Sequence, residues 1–106
     1  MGSEGDVRTR KDANHAEIVQ ALKEAHLSVI DLADVPANVR HLAGLPDLIV
    51  GGHHQRHGIP YAAMIEIKTD TGGVRSDQTE FAATWRGPYA LVRNREEALA
   101  VFGIKW

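Results

Sequence analysis

Residues 62–69, AAMIEIKT, alternate side chains in the way expected of a β-strand with one buried face. Ile65 and Ile67 point to one side of this strand, and Glu66 and Lys68 point to the other. The run constrains the fold, because an apolar strand needs neighbouring strands to pair with and a second layer to cover its isoleucines. The charged pair is either a weak salt bridge on a solvated face or part of a chemical site.

The rest of the chain predicts those neighbours and covering helices. Helical spacing with Asp12 or Asn14 as an N-cap predicts a first helix, and Gly87 and Gly103 are typical of helix ends. We predict the order α-β-β-β-α-β-α, with elements at 12–27, 28–32, 47–52, 62–69, 76–87, 89–94 and 95–103. A small mixed α/β sheet flanked by helices is the expected fold class.

Length and composition favour one globular domain. The 106 residues contain no cysteine, which excludes disulfide and thiolate chemistry, and no apolar run approaches the ~20 residues of a membrane span. We therefore expect residues 12–106 to form a single domain behind a flexible arm at 1–11, in a cytoplasmic protein without membrane contact. The formal net charge of −2 gives no overall attraction to nucleic acid.

Asp47 lies at the start of the strand that is expected to pair with 62–69. Pro46 precedes it, and proline is confined to strand beginnings and edges. If the two strands are neighbours, Asp47 and Glu66 approach on one face, where two carboxylates repel unless a cation joins them. Mg²⁺ or Mn²⁺ suits such oxygen ligands, and Lys68 would stand beside a metal-bound water. Alternatively, Asp47 makes an Asx turn.

Gln78 and Glu17 are further candidates. In the predicted helix 76–87, Gln78 falls on one stripe with three apolar residues, and a glutamine at the inward end of a buried stripe needs polar partners. These partners are either groups of the predicted metal site or main-chain atoms of a loop. Glu17 lies beside the apolar stripe of the first helix, where it either reaches a metal or remains a solvated surface glutamate.

Taken together, Glu17, the run from Gly44 to Leu48, the Glu66-Ile67-Lys68 strand and Gln78 resemble the PD-(D/E)xK nuclease superfamily, most closely its VRR-NUC branch. The resemblance covers about 12–102 and implies a restriction-endonuclease-like αβββαβ core. It also implies a DNA endonuclease that depends on a divalent metal, of bacterial or viral origin, acting as a homodimer on branched DNA such as four-way junctions.

The resemblance assigns a role to each matching residue. It implies that Asp47, Glu66 and the main-chain carbonyl of Ile67 bind the metal and that Glu17 completes the metal site. Lys68 is then the catalytic lysine, and Gln78 is the glutamine of the following helix.

Candidate DNA contacts come from the two polar loops and from Arg75, through phosphates instead of bases. They are Arg40, His41, His53, His54, Arg56, His57 and Arg75. One alternative is a nuclease-like module that binds branched DNA without cutting it. A second is a zinc site built from His53, His54 and His57 with His41, and a third is an interaction protein without chemistry.

Overall fold

The structure is a computed structural model that describes residues 14–34, 44–69 and 76–105, and only the main chain for 76–78. The described residues contain three helices: α1, His15–Glu24; α2, Ser76–Thr84; and α3, Arg95–Ala100. Four strands accompany them: β1, Ser28–Asp31; β2, Leu48–His53; β3, Pro60–Ile67; and β4, Tyr89–Val92. A 3₁₀ turn at Leu32–Asp34 follows β1. The predicted element order is confirmed.

The strands form one mixed sheet in the spatial order β1-β2-β3-β4. The β1–β2 and β2–β3 pairs are antiparallel, and the β3–β4 pair is parallel. A parallel neighbour requires a crossover connection, and the chain makes it through α2. The predicted α/β class with a small mixed sheet is thus confirmed.

One face of the sheet carries the hydrophobic core. Ile65 and Ile67 of β3 are buried there, as their alternation predicts, together with Leu48 and Val50 of β2. The helices α1 and α3 cover this face and pack against each other. Burial of each such side chain contributes roughly 1.5–3 kcal/mol, so this layer holds the sheet in place. Within the described residues, no helix is long and apolar enough to cross a membrane.

Asn14 occupies the predicted N-cap of α1 but does not cap it through its side chain. Its amide Nδ2 instead donates hydrogen bonds to the main-chain carbonyls of Lys68 and Arg93. These bonds cross from the helix to the ends of β3 and β4, so the start of α1 is tied to the sheet. The predicted N-cap position of Asn14 is therefore confirmed, while its side chain bonds to the sheet instead of the helix, and Asp12 lies outside the described residues.

Helix α2 lies near the opposite face of the sheet, where the Phe81 ring contacts the Tyr89 ring at a centroid distance of 6.1 Å. The apolar stripe predicted for this helix is only partly buried: Phe81 and Ala82 are half-buried, and Trp85 is 40% exposed. The helix ends at Thr84, so Trp85 lies just beyond it and not within it as predicted.

Candidate functional site

Asp47 lies at the entrance of β2, directly across from β3. The ladder pairs Leu48 with Ile65, and its continuation by one residue places Asp47 opposite Glu66 on the same face. The Oδ2 atom of Asp47 accepts a hydrogen bond of 2.8 Å from the main-chain N–H of Ile67. Its main-chain carbonyl accepts another from Leu32. The carboxylate is therefore held against the end of β3, on the face that carries Glu66, and the predicted approach of the two carboxylates stays a prediction.

Glu66 is buried, with only 2% of its surface exposed. A solvated face is thus wrong for this residue, although the strand alternation alone allows it. Taking a carboxylate out of water is costly unless a cation or hydrogen bonds compensate it. A chain gains no stability from placing a second carboxylate, Asp47, across the ladder from it. This combination is typical of a functional site.

Lys68 supplies a positive charge at this place. Its Nζ lies 3.5 Å from Oε2 of Glu66, and its side chain is 14% exposed. The main chain of Lys68 is also fixed, because its N–H donates to the carbonyl of Val92 and its carbonyl accepts from Asn14. The main chain that carries the ammonium group is therefore fixed at the end of β3, next to Glu66. The arrangement can neutralise an anionic ligand or orient a water.

Tyr89 belongs to the same site, although the sequence patterns did not identify it. It pairs with Met64, two residues before Glu66 and on the same face of β3. Burial raises the pKa of the Tyr89 phenol, and the negative charges of Glu66 and Asp47 raise it further. The phenol therefore keeps its proton at neutral pH and can donate a hydrogen bond to an anion. The sequence signal that could have identified Tyr89 is its position at the start of the strand that pairs with β3.

Glu17 is not brought together with Asp47 and Glu66. Its carboxylate lies 3.5 Å from the guanidinium of Arg95, and its side chain is 57% exposed. Among the described residues, no three or more histidine, cysteine, aspartate or glutamate side chains are placed to hold a metal ion together. The role of Glu17 as a metal ligand stays a prediction.

Four predicted site residues lie wholly or partly outside the described residues. Arg40, His41 and Arg75 lie outside the described residues, and so does the side chain of Gln78. The main chain of Gln78 is in the first turn of α2, as predicted.

The histidine-rich loop between β2 and β3 divides into exposed and buried members. His53, Arg56 and His57 are exposed, as a phosphate contact would require, whereas His54 is buried. Nδ1 of His54 accepts hydrogen bonds from the main-chain N–H groups of Arg56 and His57. The buried ring of His54 thus shapes the loop, which disfavours a DNA contact, and that contact stays a prediction.

The packing of His54 connects this loop to the end of α3. Its ring contacts His57 and Tyr61, and Tyr61 contacts Phe102 edge-on. Burial lowers the pKa of His54, and the nearby charges of His57 and Arg56 lower it further. The ring is thus neutral near pH 7, which matches its role as an acceptor.

No family model matches the chain, and no curated protein or solved structure matches it.

Proposed function

We propose that the protein is a divalent-metal-dependent DNA endonuclease with a restriction-endonuclease-like core, acting on branched DNA such as four-way junctions. The observation that carries the proposal is the buried Glu66 opposite Asp47, with Lys68 at 3.5 Å. A purely structural pair would bury one acid with one base. Here a second acid is held nearby, so the cluster is suited to a cation of higher charge.

The residues present fit a hard cation such as Mg²⁺ or Mn²⁺. Asp47 and Glu66 supply carboxylate oxygens, and Ile67 lies with its main chain against Asp47, where its carbonyl is a candidate third ligand. When bound, such an ion polarises a phosphoryl group and lowers the pKa of the attacking water.

The chain's own groups have separate roles in this proposal. The ammonium group of Lys68 holds positive charge where negative charge develops on the phosphate, and the strand fixes its position before substrate binds. The protonated phenol of Tyr89 donates a hydrogen bond to a phosphate or carboxylate oxygen. The exposed Arg56 and His57 are candidate phosphate contacts, which position DNA without reading its sequence.

A cleavage assay tests the proposal. Purified protein is incubated with a labelled four-way junction, a flap and a linear duplex, each with Mg²⁺, Mn²⁺ or EDTA. We expect metal-dependent cutting of the branched substrates, lost in Asp47→Ala and Lys68→Ala. Glu96→Gln, which removes a 50% exposed acid on α3, is the matched control and should cut normally.

Two other results would redirect the assignment. Binding of branched DNA without cutting under any metal condition would identify a binding module in place of a nuclease. Strong preference for one short linear sequence would contradict recognition by shape. Light scattering of the free protein tests the proposed homodimer, which would supply a second active site and more DNA-contact surface.

A further inference from the structure

Three aromatic side chains lie in a row beside the acid pair. Trp85 stacks on Phe81 with a centroid distance of 5.9 Å and an interplanar angle of 12°, and Phe81 contacts Tyr89 at 6.1 Å. Tyr89 pairs with Met64, which lies two residues before Glu66 on the same face of β3. We refer to Phe81, Trp85 and Tyr89 as the aromatic platform. It extends from the candidate site to the surface.

Trp85 is held rigidly although it is 40% exposed. Its indole N–H donates to the carbonyl of Pro88 at 3.1 Å, so its polar group is already satisfied. The ring also packs directly over the main chain of Gly87, where an added Cβ would lie 3.0 Å from two indole atoms. An exposed, preorganised aromatic surface loses little entropy when a flat ligand stacks on it.

The charges around the platform favour an anionic ligand that also carries a flat ring. Arg86 follows Trp85 and is exposed, and the Nζ of Lys68 lies 3.5 Å from Glu66 in the candidate site. A nucleotide combines a stacking base with a phosphate, and proteins that bind single strands pair aromatic side chains with positive charge in the same way. A base inside a paired duplex does not offer its face.

We propose that an unpaired base of the DNA substrate stacks on the aromatic platform, so that the enzyme prefers DNA with a single-stranded segment beside the scissile phosphate. The inference rests on the proposed nuclease function for the identity of the ligand as DNA. It goes further by naming the feature of branched DNA that is recognised, which is an unpaired nucleotide at the branch, so a flap should be preferred over a fully paired four-way junction.

Tryptophan fluorescence in EDTA tests stacking without cleavage. The chain has two tryptophans, so Trp106→Phe leaves Trp85 as the single reporter. This variant is titrated with an oligothymidylate, with a blunt duplex of equal length and with an abasic strand of equal charge. We expect strong quenching by the oligothymidylate and little by the other two. Equal quenching by the abasic strand would overturn the proposal, because phosphates alone would then explain it.

Variants of Trp85 test the contribution of the platform to affinity. Trp85→Ala should weaken binding of single-stranded DNA about 5- to 100-fold, and Trp85→Phe should recover most of it. Ile59→Ala, which removes a 50% exposed apolar side chain from the β2–β3 loop, is the matched control. Circular dichroism establishes that each variant is folded.

The outcomes separate this inference from the nuclease proposal. Metal-dependent cutting that survives unchanged in Trp85→Ala would reject the platform and keep the nuclease. Quenching by oligothymidylate in a protein that never cuts would keep the platform and reject the nuclease. If Trp85→Ala converts a dimer into a monomer while DNA affinity is unchanged, the platform is an interface between two copies and the inference is wrong.

Discussion

The two ends of the β2–β3 hairpin each bury an ionisable side chain, but for opposite reasons. At the open end, Glu66 is buried across from a second carboxylate, Asp47, with Lys68 at 3.5 Å. At the closed end, His54 is buried as a neutral ring that accepts two main-chain hydrogen bonds. The closed end therefore satisfies its polar group within the fold, whereas the open end concentrates charge that favours an external ligand.

This contrast separates a buried ionisable residue that stabilises its own loop from one that the proposed function uses. Both regions are rich in residues that bind metals or phosphates, and sequence patterns do not rank them. The structure distinguishes the two regions by the role of the buried group in each. His54 stabilises its own loop, whereas Glu66 adds like-charge repulsion to the sheet. Strain of this kind is typical of active sites, where stability is lost in favour of function.

The largest effect is expected at the open end. Glu66→Gln should reduce metal-dependent cleavage at least about 100-fold, because one carboxylate ligand is lost. Its free energy of unfolding in EDTA should not fall, because removing the charge also removes its repulsion with Asp47. Urea unfolding and the cleavage assay give both values. A stability loss of about 3–5 kcal/mol would instead show that Glu66 is a structural ion-pair partner and would break the comparison.

At the closed end, a mutation should act on stability alone. Gly103 has a φ of 72°, and a Cβ there would lie 2.7 Å from Cε1 of His54. Gly103→Ala should lower the free energy of unfolding by about 2–3 kcal/mol through strain and steric overlap. Gly58, with a φ of 67° and no atom within 4 Å of an added Cβ, is the matched control.

Gly58→Ala should lower the free energy of unfolding by only about 1–2 kcal/mol, because it has the strain without the overlap. Cleavage per folded molecule should be normal in both glycine variants. A Gly103→Ala protein that is fully folded but inactive would show that the closed end takes part in catalysis.

The pH dependence of stability should also distinguish the two ends. The pKa of His54 is lowered in the folded protein, so the unfolded chain binds this proton more readily. Stability should therefore be full above the ordinary histidine pKa of about 6.5 and should fall as the pH drops below it. In His54→Asn, the urea midpoint should change less between pH 7.5 and pH 5 than it does in the wild type.

His53→Asn is the control for this titration, because the His53 ring is exposed in the same hairpin. A profile of His54→Asn that runs parallel to that of the wild type would show that the buried ring does not carry the pH dependence.

The smallest effect is expected for the exposed ion pair between Glu17 and Arg95, whose side chains are 57% and 39% exposed. Arg95→Ala should change the free energy of unfolding by no more than about 1 kcal/mol and should leave cleavage unchanged. Glu17→Gln tests the role that the resemblance implies. Reduced cleavage in Glu17→Gln but not in Arg95→Ala would make Glu17 a member of the site, and equal activity of both would place it outside.

Local patterns predicted the order of the elements and the members of the core strand. Alternation placed Ile65 and Ile67 in the core, and the proline before Asp47 placed this acid at a strand entrance. These features depend on the periods of strands and helices, which the chain carries locally. The side-chain role of Asn14 was missed, because its partners on Lys68 and Arg93 are 54 and 79 residues away.

By itself, the sequence determined the α/β class, the element order and the placement of Glu66 and Lys68 on one face of a strand. Only the tertiary structure decided that Glu66 is buried on this face and that Tyr89 lies on the same face as Glu66. It also decided that His54 is buried and hydrogen-bonded within its loop. The physical reason is that burial and the charges near a group depend on residues far apart in the chain. The alternation of side chains shows which residues share a face of a strand. The neighbouring strands and helices determine whether that face is exposed to water.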